Sequence, residues 1–588
     1  MTDTIALLVL LLAALVCWTG SAPNTRHYLA RTGSTRDNST RTGSASNSLD
    51  DPTRAGFAPN SRDNHARTGS APISRDNSLR PGSAPNSRDN QLRPGFAPDS
   101  RDNQARNGPV PGFHTGLAGR RFAPNFRHYV AAGVIPAMLV LCALTGLGAE
   151  VREAGWAVAA GVGGVGVLAL TRRLAVHAPV VPIAVGAWTL TCLGAVTAER
   201  LNPGVGQARW VVLALAGFVV AAWVAPHLGG IGSRGGGWVA GVGSVLLLAP
   251  LLPGIGARVS GAPGWVSIGP VTGQPAELGR PLVIIGTAAM LAAAGSSLRA
   301  GRLRATLLAC WPLPIAAVAA MAADDLGPLL LLGLAVVAMV LLNKPRPLHT
   351  LALLGALLGG GALVFALVGK LHNRLEQMLH PITDDGRLHN TGAALRLMVD
   401  GGWFGSGFGA GATERVVNID NDFVLAALGG ERGFLGLLLV LAIAAAVTDA
   451  CWRTASSAAD GGLRLGGYGL SALLSAQLIY TTLATMTALP VTGVVVPFLS
   501  RGGSALIGVW VVLGLIAGIG RRRAPARVAG DEQAARKRGQ VARALVLLAW
   551  LTTIGVTVRV CLAPPVPTTA TPAHQSASTE TCRSCPDR

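Results

Sequence analysis

Residues 490–506 read PVTGVVVPFLSRGGSAL and sit between two long apolar runs. Two prolines and three glycines fall where a hydrophobic chain turns at the edge of a bilayer. Irregular backbone is tolerated at membrane depth only where it lines a cavity or is covered by protein, because no water is there to satisfy its N–H and C=O groups. The stretch therefore reads as a re-entrant cap, and its flanks read as spans of an all-α polytopic membrane protein.

Composition agrees with that reading. Half of the 588 residues are hydrophobic and 13% are charged, against about 25% charged in an ordinary soluble domain. Beyond residue 127, apolar runs of about 20 residues recur, the length that crosses a hydrocarbon core. Twelve are expected, at 128–149, 154–171, 177–197, 209–226, 237–255, 281–297, 303–322, 326–342, 348–369, 433–451, 469–489 and 504–520, with a thirteenth at 542–562. This divides the chain into an apolar segment 1–19, a tail 20–127, a transmembrane domain 128–523 and a basic linker with an extra span in 524–588.

The net charge of +20 comes mostly from arginine. The arginines cluster in short connections: Arg172/Arg173, Arg234, Arg299/Arg302/Arg304, Lys344/Arg346, Arg453/Arg464 and Arg521/Arg522/Arg523. These fall on alternate connections, the cytoplasmic bias of membrane proteins. No aromatic-interleaved basic patch accompanies them, which sets nucleic acid aside. The parity places the tail inside, and the connections 256–280, 323–325, 370–432 and 490–503 outside.

The tail is a different material. FAPNSRDNHARTG at 57 returns as SAPISRDNSLRPG at 70, SAPNSRDNQLRPG at 83 and FAPDSRDNQARNG at 96, a 13-residue period. Such units have almost nothing to bury against the entropy of ordering, so 20–127 reads as disordered. Residues 5–18, IALLVLLLAALVCW, resemble a signal-peptide core or an anchor, although Asp3 and no basic residue precedes them. Cys582 and Cys585 form a lone C-x-x-C with no second ligand pair, and no metal site is expected from the sequence.

The external connections carry the polar residues. GAPGWVSIGPVTGQPAELGR, 261–280, sets glycine and proline around Trp265, Gln274 and Glu277. ADDLGP, 323–328, places Asp324 and Asp325 at a tight hairpin, where carboxylates near lipid face the protein interior or a wet cavity. The 370–432 loop holds Arg374, His380, Asp384, Asp385, Arg387, His389, Asp400, Asp420, Asp422 and Glu431, and loops of that length are usually functional.

Together these stretches resemble the SEDS family of FtsW/RodA/SpoVE-type membrane glycosyltransferases, in the twelve-span form of its actinobacterial members. The family's P-x-x-G-x-x-x-P-x-x-S-x-G-G-S signature reads Pro490, Gly493, Pro497, Ser500, Gly502, Gly503 and Ser504. Its G-A-x-x-W and Q-P-x-E pair reads Gly261, Ala262, Trp265, Gln274, Pro275 and Glu277. Its D-L-G hairpin reads Asp325, Leu326 and Gly327, and its D-F stretch reads Asp422 and Phe423, followed by Glu431 and Gly433. Four departures stand out. Arg501 replaces the usual aromatic, Arg280 the usual lysine, Gly430-Glu431 the usual Glu-Glu pair, and His389-Asn390 lies near where Gly-Tyr-Gln is customary.

The resemblance implies polymerisation of lipid II into peptidoglycan glycan strands outside the plasma membrane, with release of undecaprenyl diphosphate. It implies Asp384, three residues after Pro381, as the catalytic carboxylate. Arg374 is the candidate for the phosphate, and Gln274, Glu277, Asp325, Ser500, Gly502, Gly503 and Ser504 are candidate substrate-binding residues. No cofactor is required by the sequence, and a divalent cation, Mg2+ or Mn2+, is an option for the leaving diphosphate. The implied partner is a class B penicillin-binding protein, a transpeptidase. The alternatives are a transporter of the lipid-linked precursor and a catalytically degenerate scaffold for that transpeptidase.

Overall fold

The structure, a computed structural model, describes residues 161–169, 180–202, 206–259, 262–269, 271–295, 297, 303–323, 325–343, 351–352, 354–356, 358–362, 369–380, 389–407, 413, 416–521 and 530–562. The segment 1–19, the 13-residue repeats, the expected span 128–149, the loop carboxylates Asp384 and Asp385, and the Cys582/Cys585 pair lie outside these residues.

The described chain is mostly helical. The helices are α1 Val180–Leu201, α2 Gln207–Val224, α3 Gly232–Leu248, α4 Ala276–Ala293, α5 Leu303–Ala309, α6 Pro312–Ala322 and α7 Gly327–Leu342. They continue with α8 Gly369–Leu379, α9 Asn390–Asp400, α10 Val424–Ser456, α11 Gly461–Thr485, α12 Gly503–Ile519 and α13 Gly530–Cys561. Among the described residues five helices are long and apolar enough to cross a membrane, and six when α5 and α6, bent by 47° at Cys310–Trp311, count as one broken span. The protein is a multi-pass membrane protein. The expected spans 154–171 and 348–369 are described only in part, as helical 161–169 and pieces of 351–362.

Small residues and hydroxyls set the helix contacts, as expected where lipid removes the hydrophobic drive between helices. At the α3–α4 crossing a Cβ on Gly243 would stand 2.7 Å from the Gly279 carbonyl, so the two backbones touch. Three buried tryptophans each give their indole N–H to a hydroxyl on a neighbouring helix. Trp510 donates to Thr191 Oγ1 at 3.2 Å, Trp452 to Ser475 Oγ at 3.2 Å and Trp550 to Thr448 Oγ1 at 3.0 Å. The last contact docks α13, the thirteenth run of the sequence, onto α10.

Two features depart from a simple stack of helices. The 256–280 connection, expected as an external link in an all-α fold, folds into a three-stranded antiparallel sheet of β1 Gly256–Val259, β2 Ala262–Ile268 and β3 Val271–Gly273. Trp265 pairs with Ala257, and Ser267 with Thr272. The alternation Trp265, Val266, Ser267, Ile268 suits a pleated surface, and Gly269 turns the chain at φ 59°.

The second feature is a break in α10. Gly433 adopts φ 68°, ψ −175°, between helical 424–432 and 434–456. The loop after α9 repairs it. Phe434 N–H donates to the Gly402 carbonyl at 2.8 Å and Leu435 N–H to the Trp403 carbonyl at 3.3 Å. In return, the Gly430 carbonyl accepts from Ser406 N–H at 3.0 Å, and the Glu431 carbonyl from Gly407 N–H at 3.1 Å. Only glycine holds such a φ without strain. Beside the break, Glu431 is sealed from solvent and paired with Arg200 of α1.

Candidate functional site

The site is assembled at the end of the bundle where β1–β3, the α6–α7 hairpin, α8, the turn before α10 and the cap before α12 meet. The cap is pinned from three sides. Gln477 Nε2 donates to the Val495 carbonyl at 3.1 Å and Tyr480 OH to the Pro490 carbonyl at 2.7 Å, both from α11. Ser500 Oγ accepts from Val496 N–H at 2.8 Å and donates to the Asn421 carbonyl at 2.6 Å. Arg501 Nη1 holds Asp420 Oδ2 at 2.7 Å. Buried Phe498 takes φ 70°, a left-handed conformation that the pinning enforces.

The sequence-predicted residues fall into two groups. Ser500, Gly502, Gly503 and Ser504 build the cap and its junction with α12. Ser504 Oγ accepts from Gln274 N–H at 3.0 Å, which ties the cap to the start of α4, and Gly503 leaves room for the Trp210 ring of α2. Glu277, Asp325 and Arg374 form the charged group, which the structure extends with Arg280. Glu277 and Arg280 pair one turn apart on α4, and Arg280 Nε also reaches the Ala276 carbonyl at 3.3 Å. Arg280 stands where the resemblance expects a lysine. One cleft is lined by Glu277, Arg280, Gln477, Pro497, Ser500 and Leu506, a second by Gln274, Arg280, Ala320, Ala323, Asp325 and Leu329. They meet across Arg280.

Arg374 is the hub. It lies beside the cap, since a Cβ on Gly493 would be 3.9 Å from its Nη2. Its field reaches both Asp325 and Asp422. Burial pushes Asp325 above the usual carboxylate range to about 6. Arg280 and Arg374 pull it back, while Glu277 and Asp422 push it further up. Burial likewise takes Asp422 to about 6, with Arg374 opposing and Asp420 reinforcing the rise. Two half-buried carboxyls with raised pKa values, both in the field of one guanidinium beside a fixed cap, mark this end of the bundle as the candidate site.

Asp384, the expected catalytic carboxylate, lies in 381–388, outside the described residues, so its geometry is not part of this cluster. Its flanks are fixed. α8 carries Arg374, and Thr391 Oγ1 of α9 donates to the Gln377 carbonyl of α8 at 3.1 Å. Asp422 and the Arg501–Asp420 pair were not singled out as site residues from the sequence. The D-F motif was the available signal for Asp422. Among the described residues no three His, Cys, Asp or Glu side chains gather as a metal-binding group.

Comparisons with known proteins converge on one family. A family model described as "Cell cycle protein", FtsW/RodA/SpoVE, matches residues 194–524. Over 322 residues the chain is 29% identical to "Peptidoglycan glycosyltransferase RodA" of Mycobacterium tuberculosis, covering 50% of this chain and 68% of that protein. It is 32% identical over 322 residues to "Probable peptidoglycan glycosyltransferase FtsW" of Alkalilimnicola ehrlichii, covering 52% and 77%. Among solved structures, a chain of a peptidoglycan synthase complex matches at 22% identity and TM-score 0.46, over 60% of this chain and 97% of that one. The rod shape determining protein RodA of Thermus thermophilus matches at 21% identity and TM-score 0.42, over 61% and 97%. With more than half of its 588 residues matched by the family model, the chain belongs to the FtsW/RodA/SpoVE family.

Proposed function

We propose that the protein is a peptidoglycan glycosyltransferase that polymerises lipid II into glycan strands on the outer face of the plasma membrane. The observation that carries this reading is the cluster beside the pinned cap, where half-buried Asp325 and Asp422 both lie in the field of Arg374. A hydroxyl of the acceptor sugar attacks the anomeric carbon of the donor, and the bond from that carbon to the diphosphate oxygen breaks. Undecaprenyl diphosphate leaves, and the hydroxyl proton passes to a carboxylate. Asp384 is the proposed base, a role that requires hydrogen-bond reach of that hydroxyl. Arg374 takes the charge of the leaving diphosphate. Gln274, Glu277 and Asp325 line the clefts for substrate, and Ser500, Gly502, Gly503 and Ser504 shape the cap over it. The proposed partner is a class B penicillin-binding protein that crosslinks the product.

Purified protein supplied with lipid II, with and without a co-purified transpeptidase, tests the reading directly. Glycan strands should form and should be lost in Asp384→Asn. Undiminished polymer from that variant would overturn catalysis by this base, and no polymer under any condition would leave the transporter or scaffold.

A further inference from the structure

The other end of α10 holds a second charged cluster, which the polymerase reading does not use. Asp449, buried in α10, is paired with Arg453 on the same helix and with Arg543 of α13. One turn away, Trp452 stacks on Tyr468 of α11 with ring centroids 5.5 Å apart. Tyr468 is 2% exposed, its hydroxyl has no hydrogen-bond partner, and it faces Gly539 of α13. The cations whose field reaches that hydroxyl are Arg464, Arg536 and Arg538. Arg464 is buried, and its Nη1 reaches the Ala458 carbonyl at 3.2 Å. Arg536 is half-buried, and its Nε and Nη2 are sealed from solvent with no acceptor.

Five arginines from three helices therefore converge on one aspartate and one phenol. A sealed guanidinium N–H without an acceptor is costly, and so is a buried hydroxyl. An anion with several acceptor oxygens would satisfy both. Phosphate is the best fit, because the planar fork of arginine matches its oxygens two at a time. The location selects the source. The cluster lies at the end of the bundle that the arginine-rich connections mark as cytoplasmic. Immediately beyond it along α13, Val541, Leu545 and Leu548 are exposed and apolar, a surface for acyl chains. A basic pocket between spans at that level suits the headgroup of an anionic lipid.

We propose that the basic cluster of Arg464, Arg536 and Arg538 around Tyr468, between α11 and α13, binds a phosphate group, supplied by an anionic phospholipid of the inner leaflet. Most of its cations lie beyond the residues matched by the family model, which end at 524.

The test uses the full chain in nanodiscs of phosphatidylcholine alone or with added phosphatidylglycerol, followed by native mass spectrometry of the lipids that survive detergent extraction. The wild type should retain phosphatidylglycerol in preference to phosphatidylcholine. Arg536→Gln and Arg538→Gln should each weaken retention about fivefold, the scale for one basic residue at an anionic surface. Arg559→Gln, at the far end of α13, should retain it as the wild type does. A separate arm adds inorganic phosphate to phosphatidylcholine nanodiscs. A rise in melting temperature there, lost in Arg536→Gln and unmatched by lipid retention, would uphold the phosphate site and overturn the lipid as its source. Equal retention of both lipids by the wild type, with no response to phosphate, would overturn the site, and that comparison needs no variant to fold.

Discussion

Arg501 holds Asp420 at two points: its Nη1 lies 2.7 Å from Oδ2, and its backbone N–H donates to the Asp420 carbonyl at 2.8 Å. The family signature carries an aromatic at this position, and here a charged clasp fastens the cap to the turn before α10. The side-chain half of the clasp is partly exposed, so its worth is that of a surface pair, about 0.5–1 kcal/mol. Arg501→Ala and Asp420→Asn should lower the melting temperature by similar small amounts. The double variant should lose little more than either single one, a coupling that thermal unfolding in nanodiscs can read. Fully additive losses would mean that the two side chains act apart.

Asp384→Asn keeps the size of the side chain and removes the base. Polymerisation should fall about a hundredfold or more, the usual scale for loss of a general base. Asp385→Asn should cost much less. A reversal of the two effects would move the catalytic assignment to Asp385. The rate of polymer formation from lipid II decides.

The lifted acids make stability depend on pH. Asp325 and Asp422 titrate near 6 in the fold, against a usual value of 3.8. The folded chain therefore binds more protons than the unfolded chain between those values, and stability falls as pH rises through that window. Asp325→Asn and Asp422→Asn should melt above the wild type at pH 8, with the gap closing toward pH 4. Arg374 opposes both rises, so Arg374→Gln should move the upper edge of the window above 6. Melting temperature against pH for the four proteins checks the sign, and a gap that widens on acidification would refute it.

The thirteenth helix is fastened by Asp449–Arg543 and Trp550–Thr448. Trp550→Phe keeps the ring bulk and drops one N–H, which should cost about 1 kcal/mol. The position of α13 also bears on topology. If it crosses the membrane, a reporter active only outside, fused after Arg588, should give signal. Silence there, with a cytoplasmic reporter working at the same site, would place α13 on one side.

Much of the helical frame was legible because hydropathy is a local signal: the runs at 209–226, 281–297, 326–342 and 504–520 became α2, α4, α7 and α12 with small shifts at their ends. The sheet was not legible, since the glycines and prolines around Trp265 mask the alternation from Trp265 to Ile268. Arg374 was legible as the phosphate candidate that the resemblance implies, but Asp422 stood out only as part of a motif. Its partners come from a different helix and a different turn, and nothing local announces that they meet. The break at Gly433 was hidden for a related reason. A loop replaces the missing helical hydrogen bonds, so the apolar run passes through it without interruption.

That splice at Gly433 has a mechanical consequence. The stretch of loop through Gly402 to Gly407 and the helix share their amides, so neither can swing without breaking several backbone hydrogen bonds at once. The outer half of α10 and the loop after α9 should then move as one lever, rigid through the break. Any opening that admits a bulky lipid-borne sugar has to pivot at another joint. The seam between α4 and α12 is such a joint: there Glu277 rests on Gly508 with no side chain in between, and one hydrogen bond, from Gln274 N–H to the Ser504 hydroxyl, closes the rim.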